Sequence, residues 1–230
     1  MTNAYDEKID NIRADSELAR KLVPNKFKFT SQQGRARRQK LLAAAKSLSA
    51  DRPISEITLA DVCEEAGIPR ASAYHFFPNV DAVFLALRYL NSTEIFKTLA
   101  TVSAADTQGW QAYITNYIYT YVDVLRDDNT VARLVYETNT PAFENNEFGS
   151  EANEQASRLL YDQLAAYYQM PDFADIQCPL KVVYGIINGV FTLAYRAQQT
   201  ISDVYREEAI KAAIAYLSLY LPVELARKPQ

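Results

Sequence analysis

Cysteine and histidine are scarce in this chain, and the scarcity removes several kinds of chemistry. Its two cysteines, Cys63 and Cys178, lie far apart without C-x-x-C spacing, so neither a disulfide framework nor a cysteine zinc site is indicated. The single histidine, His75, excludes a multi-histidine metal site within one chain. The chain has no P-loop, dinucleotide fingerprint, H-E-x-x-H or G-x-S-x-G motif. The expectation is therefore a protein that is not an enzyme, with no catalytic residue, no metal and no cofactor. No apolar run reaches the ~18 residues of a membrane span. The N-terminal stretch MTNAYDEKIDNIR lacks the apolar core of a signal peptide. A cytoplasmic location and no membrane partner follow as expectations. A hydrophobic content of 49% excludes a disordered chain. A positive excess is missing too: 24 Lys+Arg face 28 Asp+Glu, a formal −4, which at face value argues against a nucleic-acid partner.

The distribution of charge reverses that inference. Residues 1–17 carry −3, residues 18–80 carry +6 and residues 81–230 carry −7. Within the middle block, Arg20, Lys21, Lys26, Lys28, Arg35, Arg37, Arg38, Lys40 and Lys46 follow one another without an intervening acid. A phosphate backbone responds to such a local field and not to the average. A solvated basic tail has the same composition, so the segment that follows decides between them.

Residues 35–49, RARRQKLLAAAKSLS, place Leu41, Leu42, Ala45 and Leu48 on one helical stripe, and Asp51-Arg52-Pro53 breaks it. Thr58 is a helix N-cap with Asp61 in the positive first turn. That helix runs through Val62, Cys63 and Ala66 to a C-terminal Gly67. Pro69 then opens a second short helix, RASAYHFF over 70–77, ended by Pro78-Asn79. Asp81 opens a long helix to about Ala100. Two short helices around a glycine turn, preceded by a basic helix, form a helix-turn-helix pattern. The second helix bears Arg70, Ser72, Tyr74 and His75 within six residues, groups able to bond phosphates and base edges in a major groove. Leu59, Val62, Cys63, Ala66, Ile68, Ala73 and Phe77 read as the small core, with Phe76 leaning the same way.

The stretch TLADVCEEAGIPRASAYHFFPNVDAVFLAL resembles the N-terminal signature of the tetracycline-repressor (TetR) family of transcriptional regulators. The resemblance covers residues 35–100; beyond them only size and helical layout agree. It implies an all-α fold, with a helix-turn-helix three-helix domain joined to a larger helical ligand-binding and dimerisation domain. The corresponding divisions are an N-terminal extension over 1–34, a DNA-binding domain over 35–80, and an effector-binding and dimerisation domain over 81–230. The resemblance places Thr58 and Tyr74 at phosphate contacts. Pro69, Arg70 and His75 fall at base-contacting positions, and Ser72 at the usual Thr or Ser. Arg35, Arg37, Arg38 and Lys40 add phosphate contacts from the basic helix. Two residues depart from the pattern: Ala71 replaces a common Gly, and Val80 replaces the usual Lys, which the basic stretch over 20–40 would compensate. The extension is either an arm that enters a minor groove or a helix packed on the domain.

Past residue 100 the pattern is helical. Of 16 tyrosines, 14 lie after residue 80, which fits either an ordinary core or a pocket gripping a partly apolar ligand by packing and a few hydrogen bonds. Trp110, Tyr113, Tyr117, Tyr121, Tyr136 and Tyr184 are the candidate ligand contacts. The two last helices, over 180–199 and 203–221, are more apolar than a surface helix needs, and Gly185 and Gly189 form a Gly-xxx-Gly pair. In the resembled family two C-terminal helices per subunit build a four-helix dimer interface. Val183, Ile187, Val190, Ile210, Ala213 and Leu217 are the corresponding expectation. The functional expectation is a homodimeric repressor released from a palindromic double-stranded operator by a small, partly apolar effector. The alternative is a helical small-molecule or lipid-binding protein that does not bind DNA.

Overall fold

The computed structural model describes residues 32–137, 147–172 and 175–229; the extension before residue 32, its basic residues included, lies outside them. Among the described residues there are nine α-helices and no strand, so the fold is all-α. They are α1 Gln32–Asp51, α2 Leu59–Ala66, α3 Arg70–Ala73, α4 Val80–Leu99, α5 Trp110–Asp127, α6 Asn129–Tyr136, α7 Glu147–Tyr167, α8 Gln177–Gln198 and α9 Asp203–Leu217. A 3-10 turn, Ile54–Glu56, follows α1. The chain divides into two compact units, one containing residues 1–92 and 133–148, the other 93–132 and 149–230. Both α4 and α6 contribute residues to each.

The first unit is built on the apolar stripe of α1. Leu41, Leu42 and Ala45 are buried against Val62, Cys63, Ala73, Phe76 and Phe77, and the same cluster continues through Val83, Phe84, Leu87 and Leu90 of α4 to Leu134 of α6. That continuity is why the unit does not stop at residue 80. The first half of α4 turns its apolar side chains to this core, and cutting the chain at Asp81 would expose them. Phe76 is 7% exposed and belongs to the core. Val80 packs partly buried against it, which is the work found where the family pattern has a lysine. The α4 helix starts one residue earlier than Asp81 because Asn79 caps it, its Oδ1 accepting from Ala82 N at 2.9 Å.

The second unit buries one side of α5 almost completely: Trp110, Tyr113, Ile114, Tyr117, Ile118, Tyr121 and Val122 are all 1% exposed or less. Asp128 starts α6 by accepting from the Thr130 backbone N–H at 3.0 Å. By length and composition α8 would pass as a membrane span, but Val183, Ile187, Phe191 and Ala194 are wholly buried in this unit. A C-terminal strap closes it. Helix α9 ends at Leu217, short of residue 221, and Pro222 O then accepts from Trp110 Nε1 at 2.8 Å. The strap goes on to pair with the end of α7, Gln169 N donating to Ala226 O at 2.8 Å and Lys228 N to Tyr167 O at 2.9 Å. Arg227 Nη2 donates to Thr107 O at 2.7 Å.

Candidate nucleic-acid interface and effector domain

The turn between α2 and α3 is set by two local devices. Gly67 adopts φ +63°, and its N–H reaches back to Cys63 O and Glu64 O. Nothing lies within 4 Å of a Cβ placed there, so glycine is required by backbone conformation and not by crowding. At the other end of α2, Thr58 and Asp61 form a capping box. Arg52 Nη2 stands 3.3 Å from Asp61 Oδ2. The Asp61 carboxyl is held below its ordinary value first by the Thr58 backbone N–H, then by the Thr58 hydroxyl and by Arg52. Burial pushes the Cys63 thiol up, in keeping with an apolar filler.

Helix α3 is shorter than the sequence pattern, four α-helical residues. The turn nonetheless continues, with His75 N bonded to Ser72 O at 3.2 Å and Phe77 N to Ala73 O at 3.0 Å. This tightening rotates Phe76 and Phe77 inward while leaving the intervening polar side chains out. Pro69, Arg70 and His75 are exposed, Tyr74 is 57% exposed, and Ser72 is half-buried. Thr58, Arg37 and Lys40 are exposed and Arg35 is half-buried. Arg38 departs from the expectation: it is only 6% exposed, on the core side of α1, so it is not presented to a phosphate. Asn79 and Arg52 carry no base or phosphate role in the sequence pattern, yet they fix the helix ends on either side of the exposed set.

In the second unit the candidate ligand aromatics of α5 and α8 form a ladder of rings. The Tyr113 and Tyr117 rings lie 6.3 Å apart. Tyr121 stacks on Tyr184 at 6.4 Å and meets Phe191 at 5.7 Å. The Tyr121 hydroxyl donates to Asn188 Oδ1 at 3.1 Å. Among the described residues the buried hydroxyls of Tyr113 and Tyr117 have no hydrogen-bond partner, and desolvation pushes both phenols upward. Trp110 is spent on the strap. Tyr136 belongs to the first unit, so the structure does not group it with the other five. An open cavity of about 530 Å³ lies between the end of α4 and α7, lined by Thr93, Phe96, Lys97, Glu154, Arg158 and Asp162 among others. None of the six expected aromatics lines it; the ring that does, Phe96, is 6.3 Å from that of Tyr184. Its rim cation Arg158 is paired with Glu154 at 3.2 Å, and Glu154 with Lys181 at 2.6 Å, so the rim has no surplus of positive charge for an anionic ligand.

Helix α8 shows two sides. Val183 and Ile187, and on α9 Ile210, Ala213 and Leu217, are 7% exposed or less within the single subunit; Val190 is half-buried. Five of the six residues expected at a dimer interface are thus committed to the subunit's own core, because α8 and α9 pack on each other along them. The outward stripe is different: Val182 is 40% and Leu193 61% exposed, with Gly185 and Gly189 exposed between them.

A basic first helix, a glycine-turned pair of short helices and a projecting tyrosine define a helix-turn-helix protein attached to a larger helical unit. Residues 41–87 match the family model of bacterial regulatory proteins, tetR family, so the helix-turn-helix segment is similar to that of the TetR family. It is 33% identical over 86 residues to the HTH-type transcriptional regulator EthR of Mycobacterium tuberculosis, a match covering 35% of this chain and 40% of that one. The match thus spans two-fifths of the relative's length. Among solved structures, a TetR-family regulator from Pectobacterium atrosepticum shares the fold over 87% of this chain and 100% of its own, with TM-score 0.63 and 17% identity. One from Streptomyces coelicolor does so over 80% and 99%, with TM-score 0.60 and 22% identity. A SmeT–triclosan complex does so over 82% and 93%, with TM-score 0.57 and 17% identity.

Proposed function

We propose that this chain is a sequence-specific DNA-binding transcriptional repressor that acts as a homodimer on a palindromic operator and leaves it when a small, partly apolar effector binds. The observation that carries the reading is the side-chain sorting of the α3 turn. Phe76 and Phe77 go to the core, while Arg70, Tyr74 and His75 stay at the surface of a helix too short to serve packing alone. An exposed tyrosine tip beside an arginine costs apolar exposure without a packing return, and it recovers that cost against phosphates and base edges. Arg37 and Lys40 extend the positive surface along α1. The acidic remainder of the chain keeps non-specific DNA affinity low.

Two recognition helices one duplex turn (~34 Å) apart would read a palindrome, and the outward stripe Val182, Gly185, Gly189, Leu193 is the proposed contact between copies. The buried, unsatisfied hydroxyls of Tyr113 and Tyr117 support an effector that brings hydrogen-bond acceptors into the aromatic ladder. Effector binding would lower DNA affinity through a coupling free energy between the two units. Likeness to the SmeT–triclosan structure makes triclosan a reasonable first probe.

The test is selection of genomic fragments by the full chain, followed by fluorescence anisotropy on the enriched duplex. A saturable, salt-sensitive complex with a short palindrome is expected. Failure to enrich any sequence over non-specific DNA sinks the reading and favours a small-molecule carrier.

A further inference from the structure

Helix α1 ends without a cation of its own. Its last turn holds no basic residue and closes on Asp51, so the negative end of the helix dipole meets a carboxylate. The missing cation comes from α6. Arg133 Nη1 donates to Ser49 O at 2.6 Å and lies 3.2 Å from Ala50 O and 3.1 Å from Arg52 O. Just past the end of α6, Glu137 faces it: Arg133 Nε lies 3.0 Å from Glu137 Oε1, an ion pair with side chains 15% and 23% exposed. The other Glu137 oxygen accepts from Ile54 N at 3.3 Å. Arg133 and Glu137 therefore grip both sides of the Arg52-Pro53 break, the carbonyls before it and the first amide after it.

The contacts continue towards the exposed set. Arg52, whose carbonyl Arg133 holds, donates through Nη2 to Glu56 O at 2.8 Å and pairs with Asp61 Oδ2. Asp61 is the partner of Thr58 in the capping box. A side chain serving only to fill space would bring apolar atoms to this place. Instead a guanidinium converges on three carbonyls at a helix end where Ser49 is wholly buried, and its orientation is set by a carboxylate four residues later, just past the end of α6.

We infer that Arg133, oriented by Glu137, is a positioning residue for DNA binding: it caps α1 and thereby sets where Thr58 and the start of α2 stand, without touching DNA. This rests on the DNA-binding reading above. Both residues lie outside the segment 41–87 that matches the family model, and neither belongs to the exposed set.

The test uses the full chain and four variants: Arg133→Ala, Arg133→Lys, Glu137→Gln and, as a packing control, Leu134→Ala, whose side chain is 1% exposed in the same core. Anisotropy on the enriched duplex, well below each melting temperature, is paired with hydrogen exchange of the amides over 52–62. Arg133→Ala should weaken binding about tenfold or more, the scale expected when a charged hydrogen-bond set is removed, with the salt slope unchanged because every phosphate partner remains. Arg133→Lys should recover part of the affinity, since an ammonium can serve the carbonyls but has no second edge for Glu137. Leu134→Ala should melt lower yet bind nearly as wild type, and Glu137→Gln should fall between wild type and Arg133→Ala.

Wild-type affinity in Arg133→Ala overturns the inference, as does a loss no greater than that of Leu134→Ala. Where Arg133→Ala does not fold, Arg133→Lys and Glu137→Gln decide, and wild-type affinity in both overturns it. If the wild-type chain binds no duplex, the DNA-binding reading fails separately. The exchange arm then decides positioning alone: amides of Ile57 to Val62 should exchange faster in the Arg133 variants, and unchanged rates overturn it.

Discussion

Thr58 and Asp61 bond to each other three times across the first turn of α2: Thr58 N and Oγ1 donate to Asp61 Oδ2 at 2.8 and 2.9 Å, and Asp61 N donates to Thr58 Oγ1 at 3.2 Å. The pair satisfies two orphan amides of a helix only eight residues long, too short to hold together by propensity. Thr58→Ala should cost about 1 kcal/mol and lower the melting temperature by about 2–4 °C. A melt at wild-type temperature would show that packing alone holds α2.

The same pair makes a pH prediction. The Asp61 carboxyl is held below its ordinary value of 3.8, first by the Thr58 amide. A depressed folded-state value means the stabilisation is fully present above that ordinary value and is lost as pH falls through the lower, folded one. Acid melts of Asp61→Asn should therefore lose less stability than wild type as pH drops below about 4. Parallel curves for the two proteins would remove Asp61 from the acid response.

Tyr113→Phe and Tyr117→Phe each delete a buried hydroxyl that has no partner among the described residues. Leaving such a group unsatisfied costs about 1–3 kcal/mol, so each variant should melt higher than wild type when ligand-free. The double variant should also lose effector-induced stabilisation with any ligand that uses those hydroxyls. Calorimetry with and without triclosan reads both effects. A lower melting temperature in both single variants would show that the hydroxyls are already satisfied.

Much of this molecule is legible from residue order where the determinants are local. The glycine at the α2 end, the Thr58 cap and the burial of Val62, Cys63 and Ala73 all follow from spacing within one or two turns. Arg38 is obscured by its charge: it stands three and four residues before Leu41 and Leu42, on the buried stripe, while Arg37 and Lys40 are exposed, so a run of basic residues hides which one turns inward. The same is true of α8, where an almost continuous apolar run conceals which side is core; Val183 and Val182 are adjacent in sequence and fall on opposite sides. Arg133 has one local trace, the absence of a basic residue in the last turn of α1. Nothing in spacing says that a helix more than seventy residues later supplies it.

A Cβ placed on Gly185 or Gly189 meets no atom within 4 Å, so larger residues fit the subunit there without repacking it. Gly185→Leu and Gly189→Leu should leave the subunit folded, and they should even gain helix propensity, about 1 kcal/mol for each glycine removed. If copies meet along Val182, Gly185, Gly189 and Leu193, the added side chains hold the two backbones apart. Sedimentation should then show wild-type dimers and variant monomers at micromolar concentration, with Leu193→Glu behaving likewise. Dimers in all three variants would move the contact elsewhere.

The exposed basic and polar residues should separate by what they touch on DNA. Arg37 and Lys40 stand on the surface of α1 and are proposed to meet phosphates. Replacing either with alanine should weaken binding to all sequences alike and reduce the slope of log K against log salt by about 0.9 for each phosphate no longer neutralised. Arg70 sits at the exposed start of α3, where a bidentate bond to a guanine edge would be worth about 1–3 kcal/mol of discrimination. Arg70→Ala should therefore flatten the preference for the enriched duplex over a scrambled one more than it changes the affinity for scrambled DNA. Titrating both duplexes at several salt concentrations distinguishes the two classes. A uniform loss from Arg70→Ala, equal on both duplexes, would demote it from reading bases to holding the backbone.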